Sequence, residues 1–170
     1  MNKKKIFDII ALCLFVFLCI LFIEVNNCVQ NKHQANMQLS QQICDKQKQL
    51  DSYADSVDKA HELTKDCDDF MNIVYKDMYN YTVENLNNGN IDGKEAEKEF
   101  SDLLLVTQGK YDEFVRKQND VYNDDLTDEQ KEIIKRELDA YDKKFNERID
   151  SLNKTIQNIN AHKKVDLHTI

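Results

Sequence analysis

The amino-acid sequence predicts an all-α protein, an N-terminal transmembrane helix followed by an elongated antiparallel three-helix bundle of coiled-coil-like character. Three observations carry that expectation. Proline is absent and glycine occurs only 3 times in 170 residues, which removes the residues that most often break helices and build tight turns. One long apolar run stands at the N-terminus, and nothing later in the chain resembles it. The remainder places apolar residues at helical spacing in three long stretches, separated by two short polar breaks.

The apolar run comes first. Residues 9–23 are unbroken, but about 15 residues fall short of the roughly 20 that a span needs. Taking residues 6–25 as the span gives about 30 Å of helix, the thickness of the hydrocarbon core. Asp8 and Glu24 then lie near the two interfaces. Lys3, Lys4 and Lys5 flank the N-terminal side and the next cation is Lys32. The positive-inside rule therefore puts the N-terminus in the cytoplasm and the body outside it, a single-pass protein of the cell membrane whose first partner is the lipid bilayer, through 6–25. A cleaved signal peptide needs small residues around the cut, and Glu24, Val25, Asn26 and Asn27 supply none. A bacterial lipoprotein with an atypical lipobox is the other alternative. Cys13 and Cys19 follow leucines and Cys28 follows Asn27, where a small residue is wanted.

Charge narrows the partners. The chain carries 31 acidic and 23 basic residues, a net charge of −8, and without the N-terminal lysines the body is more acidic still. Such a surface is repelled by nucleic acid and by anionic lipid. The cysteines form no disulfide framework: Cys44 and Cys67 fall on one expected helix, about 35 Å apart, too far to bridge. Cys67 sits on an apolar stripe, whereas Cys28 is suited to an intermolecular disulfide.

Residues 26–42, rich in Asn and Gln, read as a polar stalk. The first bundle helix is expected over 43–86, within a bundle of 43–162. Ile43, Leu50, Val57, Thr64, Met71 and Met78 form one heptad set, and Tyr53, Ala60, Cys67, Val74 and Tyr81 the other, widened by Leu63 and Phe70. The repeat stops at the turn-forming run NNGNIDG, 87–93. A second helix over 94–122 carries Ala96, Phe100, Leu103, Leu104, Thr107, Tyr111, Phe114, Val115, Val121 and Tyr122 on one face, weakened a little by Gly109. Thr127 and Gln130 then make a capping box for a third helix over 128–162, with Asp128 and Glu129 favoured at its positive end. Its stripe is Ile134, Leu138, Tyr141, Phe145, Ile149, Leu152, Ile156 and Ile159. Residues 163–170 are left as a tail, frayed by expectation, in which Lys163 and Lys164 form a basic spot for an acidic partner. Short connections imply antiparallel neighbours, and no stripe is stable alone in water.

Asn88, Asn90, Asp92, Gly93 and Glu99 have the spacing D-x-[DN]-x-[DN]-G-x5-E, and over these residues alone the chain resembles an EF-hand calcium loop. The resemblance implies oxygen ligands from Asn88, Asn90, Asp92 and Glu99, with Gly93 at the sharp turn. Two departures count against it: Asn88 replaces the first Asp, and Glu95 replaces the usual apolar residue. Asn, Gly and Asp also write an ordinary helix–helix turn that needs no ion. His33, His61, His162 and His168 show no i, i+4 pairing, and neither Cys-x-x-Cys, nor G-x-S-x-G, nor a phosphate-binding Gly loop occurs. The expected protein is therefore non-catalytic and cofactor-free, with an interaction or structural role and a protein partner or self-association. A ligand-binding or sensing domain acting through a membrane partner is the alternative.

Overall fold

A computed structural model describes the backbone of residues 3–170 and the side chains of residues 10–170. The side chains of Lys3, Lys4, Lys5 and Asp8, on which the orientation expectation rests, lie outside the described residues. Those described are all helical or connecting, in the order α1 (Lys3–Asp69), a π-helical segment (Phe70–Tyr75), α2 (Lys76–Asn87), α3 (Gly93–Val121) and α4 (Asp128–Asn160). Two compact units result, Met1–Lys48 and Gln49–Ile170.

In the first unit, every described side chain from residue 10 to residue 48 is exposed. Its apolar stretch lies in the one helix, among the described residues, that is long and apolar enough to cross a membrane. By length and composition it fits a transmembrane or a signal-like segment.

The second unit holds the core. Ala60, Leu63, Cys67, Phe70 and Met71 are buried against Phe100, Leu103 and Phe114 of α3 and against Ile134, Leu138, Phe145 and Leu152 of α4. Phe145 is the hub, with ring centroids 6.0 Å from Phe70, 5.8 Å from Tyr111 and 5.6 Å from Phe114. Burying an aromatic ring of this kind removes roughly 150–250 Å² from water. Polar pairs at the rim set the order of contacts. Thr82 Oγ1 donates to Glu99 Oε2 at 2.8 Å, Lys110 pairs with Asp66, and Ser52 Oγ meets Asp125 Oδ2 at 3.4 Å. Residue numbers fall along the first helix as they rise along α3. Between α3 and α4, Tyr111 donates to Asp142 at 2.8 Å, while Ile159 lies beside Gly93. Between the first helix and α4, Asp68 receives the Tyr141 hydroxyl at 2.7 Å and Lys144 at 3.0 Å.

The expected heptad register fails in two places. Ile43, Leu50 and Val57 are exposed rather than core. Within the second unit, Ser52 already meets the α3–α4 connection, so the helices that would cover Leu50 have run out. Beyond Met71, the expected Val74, Met78 and Tyr81 are exposed as well, and Tyr75, Tyr79, Thr82 and Val83 are buried in their place. The π-helical segment is the cause. A π bulge takes one extra residue into the turn, and one residue of helix is about 100° of rotation. The buried face therefore advances by one position.

Local chemistry ends the helices where the sequence turns polar. Asn88 caps α2 and Gly89 adopts a left-handed φ of +72°. The N–H of Gly89 reaches the Leu86 carbonyl at 3.2 Å and that of Asn90 reaches Asn85 at 2.9 Å, a Schellman ending. At the end of α4, His162 takes the same role at φ 52°, with its N–H on Ile159 and that of Lys163 on Asn158, both at 3.0 Å. Thr127 and Gln130 form the capping box of α4.

The tail is not frayed. It folds back along α2: Leu167 is buried, and Asn87 Nδ2 reaches the Leu167 carbonyl at 3.5 Å. Asn80 grips the Ile170 backbone from both sides, donating to its carbonyl at 2.8 Å and accepting from its N–H at 2.7 Å.

Candidate functional site

The rotation imposed by the π-helical segment builds the most distinctive surface of the second unit. Val74, Met78 and Tyr81 leave the core and lie on the outside, Tyr81 at 62% exposure. Met78 and Tyr81 line an open groove of about 410 Å³ together with Asp77, Thr82, Glu99 and Asp102. Thr82 is buried, and its hydroxyl ties Glu99 of α3 to α2. The groove thus has an apolar floor, one buried hydroxyl and three carboxylates, with no basic residue in its lining. That combination favours a ligand carrying both apolar and cationic groups.

A second groove, of about 670 Å³, lies between the first helix and α3 around Lys59, Lys110 and Lys117. Its charges neutralise one another. Glu113 is held by Lys117 at 2.6 Å and Lys110 at 3.1 Å, and these hydrogen bonds, Lys117 first, bring its carboxyl down to about 2. Burial alone would lower the Lys110 pKa, but Asp66 and Glu113 outweigh it and raise it. A closed ion-pair network of this kind is a fastener between helices.

The residues of the calcium-loop resemblance are engaged by the protein itself. Asn88 is the C-cap of α2, and Asn90 Nδ2 donates to Asn85 Oδ1 at 3.1 Å. Asp92 Oδ1 accepts the N–H groups of Lys94 and Glu95, at 2.8 and 2.9 Å, and Glu95 Oε2 accepts the Asp92 N–H at 3.2 Å. Those bonds, from Glu95 and then Lys94, lower the Asp92 pKa. Glu95, the misfit in a calcium loop, is the expected partner in a capping box. Glu99 faces Thr82 instead. Among the described residues no group of three or more His, Cys, Asp or Glu is placed to hold a metal ion.

All five cysteines are free thiols. Cys67 is buried, and loss of solvent pushes its thiol up to about 12, so it is a small core residue rather than a thiolate. Cys28 and Cys44 are exposed. The groove escaped the sequence reading because Val74, Met78 and Tyr81 fit the core repeat. Of the three carboxylates only Asp77 is near them in sequence; Glu99 and Asp102 come from α3.

No family model, curated protein or solved structure matches this chain. Among the described residues, fold and surface define a helix-rich domain with one long apolar helix and no catalytic or cofactor-binding constellation.

Proposed function

We propose that the protein is a single-pass, membrane-anchored interaction module without catalytic activity. Its extracytoplasmic body is an antiparallel three-helix bundle that binds a basic amphipathic segment of another protein. The observation that carries this reading is the stripe Val74, Met78 and Tyr81, turned out of the core beside Asp77, Glu99 and Asp102. Apolar contact along such a stripe gives affinity, and a carboxylate rim selects cations and speeds encounter. The exposed apolar run in α1 supports the anchor.

Two experiments test the two parts. A photo-crosslinking residue at Tyr81, in the native membrane, is expected to give a discrete adduct that a basic amphipathic peptide competes away and an acidic one does not. Met78→Asp should abolish the adduct without lowering the melting temperature. Adducts indifferent to both peptides would reject the groove. For topology, protease added to intact cells should cut the body; protection until lysis would reverse the orientation, and release of the chain by alkaline washing would remove the anchor.

A further inference from the structure

The helix between the apolar run and the body carries exposed apolar residues. Val25, Val29, Leu39 and Ile43 are 61%, 59%, 56% and 61% exposed. A solvated spacer has no need of such residues, and these fall in one register. Val29, Asn36 and Ile43 occupy successive a positions, and Val25, Lys32, Leu39 and Lys46 the d positions, over three heptads.

We infer that residues 25–46 form a parallel, in-register, two-stranded coiled coil with a second copy of this chain. Three features select that occupant. First, the flanking positions are Cys28, Ala35 and Gln42 on one side and His33, Ser40 and Gln47 on the other, with no carboxylate, Lys or Arg among them. Asp45 and Lys48 lie away from the seam. Two copies of a chain with net charge −8 therefore meet here without like charges on the flanks facing one another. Second, Asn36 at an a position meets its own copy only in a parallel, unstaggered pair, where the two amides bond to each other. Shifted by one heptad it faces Val29 or Ile43, and antiparallel it faces a d-position side chain, so either arrangement loses the amide–amide pair. Third, β-branched Val29 and Ile43 at a with Leu39 at d is the pattern that favours two strands.

The two d-position lysines weaken the pair. Their stems cover the seam, and two charged side chains at d positions make the dimer reversible rather than obligate. The inference depends neither on the groove nor on the anchor, since the seam lies beyond residue 23.

The test uses the full-length chain in detergent micelles with Cys13, Cys19, Cys28 and Cys44 replaced. Leu39→Cys should give a disulfide-linked dimer on mild oxidation, and Gln41→Cys, on the outer face, should not. Lys32→Leu should tighten association by about tenfold or more in sedimentation, the scale of one buried leucine. Ile43→Asp should abolish the dimer and leave the melting of the body unchanged. Equal crosslinking at 39 and 41, or a monomer indifferent to Lys32→Leu, would overturn the inference. A dimer that survives Ile43→Asp would overturn it too, because the apolar run would then be what holds the copies together.

Discussion

Glu113 and Asp68 each make the body slightly less stable in acid. Glu113 is shared by Lys117 and Lys110, and its carboxyl lies near 2 rather than the ordinary 4.5. The folded state therefore binds that proton less readily than the unfolded chain. Its contribution is complete above about 4.5 and disappears as the pH falls towards 2. Asp68 has the same sign, lowered by the Tyr141 hydroxyl and then by Lys144. Both pairs are partly solvated, so each effect is small and screened by salt. The thermal midpoint of Glu113→Gln should consequently fall less steeply than that of the parent between pH 4.5 and 2, at constant ionic strength; parallel curves would show that the network adds nothing. Gly109 is a second residue with a clear sign. It lies inside α3, and a Cβ built there meets nothing within 4 Å. Gly109→Ala should stabilise the body by about 1 kcal/mol, measured by urea denaturation, and no gain would mean that the position is strained.

At the scale of elements, the π-helical segment decides which residues face the core. If it holds one residue more than an α-helix requires, removing one exposed residue from it should cost little. Deletion of Asn72 is expected to convert the segment to regular helix, keep Tyr75, Tyr79 and Val83 buried, and retain a cooperative melt. Deleting an exposed residue from regular helix, such as Asp102 of α3, should rotate a buried stripe by about 100° and unfold the domain. Equal damage from both deletions would contradict the phase argument. This element also marks the limit of sequence reading. Periodicity made the all-α class legible, and Thr127 with Gln130 announced the start of α4, since each depends on residues close together in sequence. The π segment has no such signature. Phe70, Met71, Asn72, Ile73, Val74 and Tyr75 contain no breaker, and Val74, Met78 and Tyr81 continue a plausible repeat. What overrides it is distant in sequence: Tyr79 packs on Phe100 at 5.6 Å and Arg148 lies 5.4 Å over Tyr75. Asp92 is ambiguous in the sequence for a related reason, because a capping carboxylate and a calcium ligand share the same local residues until its N–H partners are seen.

At the scale of the molecule, every buried hydrophobic among the described residues lies in the second unit, between Ala60 and Leu167, with Tyr53 packed at its edge. A fragment of residues 49–170 should therefore fold alone, melt cooperatively and sediment as a monomer. If it melts far below the full chain, or associates strongly, the first unit contributes to the core in a way the buried residues do not express. The apolar run and the polar character of 26–42 were legible in the sequence, because composition alone reports them. The groove and the return of the tail were not, since both depend on how α2 is turned.

That tail has a mechanical side. Residues 165–170 leave the end of α4 but are fastened to α2 through Leu167, Asn87 and the two-way grip of Asn80 on Ile170. A pull applied at residue 170 is thus loaded first onto α2, beside the Met78 and Tyr81 groove, and reaches α4 only after those bonds part. Tension at residue 170 and occupancy of the groove would act on the same short helix.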